Sequence, residues 1–132
     1  MDLGTANSII IHNDQIVVDE PSVVAIDNKT EELQAVGTAA HLMEGKEPPG
    51  LRTVRPLRDG VIADFQAAEV MIRGMVKMVG SKRWKFTPAL RMVVCIPSGS
   101  TEVEIRAVRD SSEHAGGRDV YMLYEPMAAA LG

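Results

Sequence analysis

The stretch that most limits the fold is Arg91–Glu125. It opens with an unbroken apolar run, Met-Val-Val-Cys-Ile at 92–96, turns at Pro97-Ser98-Gly99-Ser100, and continues into a segment with helical spacing from Thr101 to about His114. Ala115-Gly116-Gly117 stops that helix, and Asp119–Glu125 is again strand-like. Strand, helix, strand with short connections is a βαβ unit, so the two strands must be parallel and joined by a right-handed crossover. A chain with this unit needs a sheet, with helices to cover it.

The N-terminal part supplies other strands. Ser8–His12, Gln15–Glu20 and Ser22–Ile26 are rich in Val and Ile, and Asn13-Asp14 is a tight-turn dipeptide between the first two, which predicts an antiparallel hairpin. Asp64 is a predicted N-cap. Phe65, Ala68, Ile72, Met75, Val76 and Val79 follow at helical spacing until Gly80 ends the run. Pro126 in the first turn starts one more helix over Met127–Leu131. Between about residues 28 and 64 the character changes: prolines, glycines and charges surround short apolar pieces such as Leu33–Val36, with one predicted helix over Thr38–Gly45 and a structure-breaking Lys46–Gly50. The predicted architecture is a mixed α/β sheet, antiparallel strands first and parallel ones after. Residues 1–28 and 64–132 form the main subdomain and residues 29–63 a small inserted one.

Charge and cysteine use narrow the function classes. A net charge of −4 with both signs interspersed leaves no basic stripe, which argues against nucleic acid as a partner. Cys95 has no second cysteine to pair with and lies in an apolar run, so it reads as a small buried hydrophobe in a reducing compartment. There is no signal-like segment and no bilayer-length apolar run. The expected location is therefore cytoplasmic.

Three short stretches carry possible chemistry. Met1–Ser8 reads MDLGTANS, with an acidic residue, a glycine and small polar residues at one turn. It fits an ordinary hairpin turn; it equally fits a turn whose backbone N–H groups approach a phosphate while Asp2 holds a hydrated divalent cation. Glu104 stands three residues after Thr101, the spacing of a capping box. The link Ser81–Pro88, SKRWKFTP, sets Trp84 and Phe86 among Lys82, Arg83 and Lys85. It reads either as an aromatic folded into the core or as a contact with anionic lipid at the headgroup boundary. His12, His41 and His114 are scattered, Ser98 lies in no nucleophile elbow, and Gly116-Gly117 is a helix stop.

Five stretches in order, DLGTANS at Asp2–Ser8, EPSVVAID at Glu20–Asp27, RPLRDGVIADF at Arg55–Phe65, IPSGSTEVE at Ile96–Glu104 and EPMAAALG at Glu125–Gly132, together resemble the MreB family of bacterial actin homologues. The resemblance implies an actin-like ATPase fold with a ribonuclease H-like domain, of which this chain would be the first domain, with the second actin-like domain absent. It turns the first stretch toward phosphate: Asp2, Gly4, Thr5, Ala6 and Asn7 match the family's first phosphate loop, with Asp2 facing Mg2+ through water. It implies that Glu104 orients or activates water for attack on the γ-phosphate of ATP, and that Trp84 and Phe86 contact the membrane, since family members use an apolar loop there. It further implies self-association into filaments at the inner face of the plasma membrane, acting with cell-wall elongation proteins in rod-shaped cells. Because Met1 alone precedes Asp2, where the family carries a strand, a central strand of the sheet is expected to be shortened or absent. The chain by itself is expected not to hydrolyse ATP, and faces meant for the missing domain are expected to be exposed. The runner-up from the same superfamily is a small-molecule kinase or related phosphotransfer enzyme.

Overall fold

A computed structural model describes residues 1–80 and 90–132. Residues 81–89, which include Trp84 and Phe86, lie outside the described residues, and so does the membrane-contact expectation placed on them.

Five strands form the main sheet in the order β10-β9-β1-β2-β3. β2 (Asn7–His12) runs antiparallel to both its neighbours, β1 (Asp2–Leu3) and β3 (Gln15–Pro21), whereas β9 (Leu90–Ile96) is parallel both to β1 and to β10 (Gly117–Tyr124). The antiparallel-then-parallel arrangement is the one expected. Local chemistry accounts for the first hairpin: Asn13 and Asp14 have φ of 51° and 59°, the left-handed pair that a two-residue turn between twisted strands requires. β1 is the central strand and only two residues long.

Helices α2 (Phe65–Gly80) and α3 (Glu102–His114) cover one face of this sheet. Asp64 caps α2 as expected, its Oδ1 accepting from the Ala67 N–H at 2.9 Å. Ala67, Ala68, Met71, Ile72, Gly74 and Met75 are the helix's buried side, and they meet Leu3, Ile10, Val18, Met92, Val94, Ile96 and Val108 in one core. The crossover from β9 through α3 to β10 is the predicted βαβ unit. The opposite face of the sheet carries Val93 and Tyr121 as a register pair, and both are exposed.

The middle of the chain builds a second, three-stranded sheet, β5-β4-β6, from β4 (Val24–Asp27), β5 (Leu33–Val36) and β6 (Leu51–Val54). The expected boundary at residue 28 falls after β4, yet β4 pairs inside this second sheet, which therefore reaches back to Val24. Val24 and Ile26 join the main core, so the two sheets share a hydrophobic interior. The helix expected over Thr38–Gly45 is only α1 (Thr38–His41). Beyond it the bonds tighten to three-residue turns, Met43 N–H to Ala40 O at 2.9 Å and Glu44 N–H to His41 O at 3.2 Å, before Gly45 leaves the helical region at φ 75°. β7 (Leu57–Arg58) and β8 (Val61–Ile62) form a separate hairpin whose turn is Asp59-Gly60. Arg55 is paired: its Nη2 lies 2.8 Å from Glu44 Oε2, and Glu44 also meets His41.

Candidate functional site

The N-terminal turn joins β1 to β2, and Gly4, Thr5, Ala6 and Asn7 form it. Register pairs Leu3 with Ser8, so Gly4–Asn7 are the four residues between the paired ends, with Thr5 and Ala6 at the middle. Neither has the positive φ found at Asn13-Asp14, so this is an open turn rather than a tight hairpin loop. A single bond closes it, Gly4 N–H to Asn7 O at 3.1 Å. An added Cβ on Gly4 would lie 2.5 Å from that same Asn7 oxygen, so only glycine fits. Among the described residues the amides of Thr5 and Ala6 donate to no protein acceptor, and both residues are exposed. Two unbonded N–H groups at an exposed bend without bulky side chains are the donors an anion-binding turn needs.

Asp2 stands at the edge of this turn, exposed, with no hydrogen bond or ion pair to its carboxylate among the described residues. Thr5 reaches elsewhere: its Oγ1 accepts from the Gly60 N–H at 2.7 Å and ties the bend to the β7–β8 hairpin. Asn7 Nδ2 donates to Asp19 Oδ1 at 3.0 Å on the neighbouring strand.

Glu104 is in the first turn of α3. The capping box is complete: Thr101 Oγ1 accepts from the Glu104 N–H at 3.3 Å, and Glu104 Oε2 accepts from the Thr101 N–H at 2.7 Å. The side chain borders a small hollow with Leu3, Gly60, Pro97 and Ser100. Asp2 is not among its walls, because alternation along β1 sends Leu3 into the core and turns Asp2 to the other face of the sheet. Gly60, bonded to Thr5, is the point at which the turn and the Glu104 hollow meet.

On the Asp2 face there is a different carboxylate. Asp2 is in register with Cys95, and Cys95 with Leu123, two residues before Glu125. Burial pushes the Cys95 thiol up; the Met1 ammonium opposes this, and the carboxylates of Asp2 and Glu125 both add to it. Glu125 and Asp2 therefore both act on Cys95, which also lines the hollow beside Glu104. Glu125 is exposed at the first position of α4 (Glu125–Leu131), at the C-terminal edge of the parallel strand β10. In parallel α/β sheets that edge is where ligands bind. The sequence held one signal for it: a glutamate directly before a proline at a strand-to-helix junction, on the same strand edge as the first turn.

Among the described residues no group of His, Cys, Asp and Glu forms a metal site without help from a ligand, and no helix is long and apolar enough to cross a membrane.

Comparison with known proteins agrees along the whole chain. The family described as MreB/Mbl protein matches residues 1–132. Similar curated proteins include the cell shape-determining protein MreB of Pasteurella multocida, 47% identical over 137 residues, and that of Escherichia coli strain K12, 45% identical. The cell shape-determining protein Mbl of Bacillus subtilis is 41% identical over 133 residues. Each of these alignments takes in 100% of this chain and 39% of the relative, so the chain spans about two-fifths of their length. Among solved structures, MreB5 of Spiroplasma citri bound to ADP superposes with a TM-score of 0.79 at 36% identity, covering 98% of this chain and 38% of that one. The same protein bound to AMPPNP gives 0.77.

Proposed function

Because this chain belongs to the MreB/Mbl family of actin-like, shape-determining cytoskeletal proteins, we propose that it carries the first phosphate turn of a filament-forming ATPase. The observation that carries the proposal is the open bend at Gly4–Asn7, where Thr5 and Ala6 hold two unbonded amides after a glycine that tolerates no side chain, beside the Asp2 carboxylate, which is unpaired among the described residues. A carboxylate that close to a phosphate repels it unless a cation lies between them, so the donor set fits a hydrated Mg2+ at Asp2 with phosphate oxygens at Thr5 and Ala6. When bound, Mg2+ neutralises charge that builds on the phosphates during transfer. Relatives solved with ADP and AMPPNP support the choice of an adenine nucleotide.

Two carboxylates compete for the work of holding the attacking water. Glu104 is the one expected from sequence, at a helix N-terminus, but its Oε2 is held by the Thr101 amide and its hollow excludes Asp2. Glu125 follows β10 two residues after Leu123, which is in register with Cys95 and through it with Asp2, and its exposed side chain has no hydrogen bond among the described residues; we assign the water-orienting role to it. In a protein of the relatives' full length, Glu125→Gln is expected to abolish hydrolysis and spare ATP binding, while Glu104→Ala lowers stability and leaves turnover near normal. The reverse pattern returns the role to Glu104.

The wider reading follows the family: copies of the protein assemble into filaments at the inner face of the plasma membrane, peripheral and cytoplasmic, with cell-wall elongation proteins as partners. Trp84 and Phe86, set among basic residues, are the proposed membrane contact. Flotation with anionic liposomes, wild type against a Trp84→Ala, Phe86→Ala double variant, tests it, and equal flotation refutes it. The kinase alternative has no support among the relatives reported above.

A further inference from the structure

Ser22 belongs to the link between β3 and β4, far in sequence from the N-terminal turn, yet it grips that turn twice. Its N–H donates to Ala6 O at 2.8 Å and its Oγ donates to Gly4 O at 2.6 Å. Ser8 Oγ lies 2.9 Å from Ser22 Oγ, and both serines are fully buried. A hydroxyl has one proton, and that of Ser22 is committed to Gly4 O. Ser8 must therefore donate to Ser22, and the three groups form one polarised chain, Ser8 to Ser22 to the Gly4 carbonyl.

The bend needs this help because it does not close itself in the usual way. In a closed β-turn the first carbonyl accepts from the N–H three residues on. Here Asn7 N–H makes no such bond, and the Ser22 hydroxyl takes its place on the Gly4 carbonyl. The peptide group is planar and trans, so a carbonyl fixed toward the interior fixes the N–H of the next residue in the opposite direction. That N–H belongs to Thr5, one of the two unbonded amides of the proposed phosphate turn.

We propose that Ser22 is the positioning residue of the anion turn: it holds the Gly4–Thr5 peptide so that the Thr5 N–H faces the phosphate before any ligand arrives, with Ser8 fixing the direction of its proton. The inference rests on the phosphate-turn reading above. Preorganised donors need no reorientation on binding, so losing the clamp weakens the anion site specifically.

The test is an amide-resolved NMR titration of this chain with Mg2+ and pyrophosphate at millimolar concentration. In the unsubstituted protein the Thr5 and Ala6 amides shift and saturate. Ser22→Ala is expected to move the Thr5 amide resonance already in the free protein and to weaken the pyrophosphate midpoint about tenfold, the effect of one buried carbonyl losing its donor. Ser112→Ala is the matched control: Ser112 is also fully buried and donates to a carbonyl, Val108 O at 2.8 Å, but on α3 away from the turn. It is expected to lower thermal stability to a similar degree and to leave both the Thr5 amide and the midpoint unchanged. Equal midpoints for Ser22→Ala and wild type overturn the role of Ser22 and leave the turn reading standing. Loss of anion affinity equally in both variants reduces Ser22 to a folding residue and also overturns it. A Thr5 amide unmoved by pyrophosphate in the unsubstituted protein overturns the turn reading itself, and the positioning role with it.

Discussion

Replacing Gly4 by alanine tests the geometry of the N-terminal bend most directly. The added Cβ would lie 2.5 Å from the Asn7 carbonyl oxygen. A carbon–oxygen contact settles near about 3.3 Å, so the bend has to open by roughly 0.8 Å. The neighbour is backbone in the same turn and cannot rotate aside as a side-chain tip would. Opening it breaks the one bond that closes the turn, Gly4 N–H to Asn7 O at 3.1 Å. Losing that bond costs about 1 kcal/mol, and strain from overpacking adds about 1–2 kcal/mol. Alanine stiffens the unfolded chain, which returns about 0.4–1 kcal/mol. The net expectation is a loss of about 2 kcal/mol, or a Tm lowered by roughly 8 °C in a domain of this size. Thermal unfolding followed by circular dichroism reads it. Amide exchange gives a local second reading: the Gly60 N–H, held by Thr5 Oγ1 at 2.7 Å across the opened bend, should exchange faster. A Tm equal to or above wild type would refute the account, because it would mean the bend has slack that the structure does not show.

Three further outcomes follow from the fold. Met71→Ala empties a fully buried position where α2 meets both sheets and should cost about 2–5 kcal/mol in denaturant unfolding; a loss under about 1 kcal/mol would mean the site collapses freely. Thr101→Ala removes half of the capping box and should cost about 1 kcal/mol, read as faster exchange in the first turn of α3. Acid stability is the third. The Arg55 guanidinium, with burial opposing it and His41 assisting, holds the Glu44 carboxyl below the usual carboxylate range, and backbone amides of Thr30 and Lys29 do the same for Asp27. These folded-state values lie below the unfolded ones, so the stabilisation is present above the usual carboxylate range and is lost as the pH falls through it. Arg55→Met should flatten that loss, and an unchanged acid limb in denaturant midpoints against pH would show that the pair contributes nothing.

Much of the fold was legible because it is written in short-range pattern. The apolar spacing of α2, the Asp64 cap, the Thr101–Glu104 box and the left-handed Asn13-Asp14 turn each depend on residues within a few positions of one another. β6 escaped notice because Leu51-Arg52-Thr53-Val54 shows no alternation and all four residues are only partly buried. α1 is shorter than expected because three-residue bonding replaces the α pattern beyond His41.

The sequence by itself determined the class of the fold, the βαβ crossover, the family and the bend at Asp2–Asn7, since each rests on local periodicity or on contiguous motifs. Only the tertiary structure decided which groups meet. It drew β4 into the second sheet, set a two-residue β1 at the centre of the first, left Asp2 outside the hollow that Glu104 borders, and brought Ser22 onto the back of the bend. The physical reason is that strand pairing joins residues dozens of positions apart, and one step along a strand reverses the face a side chain occupies.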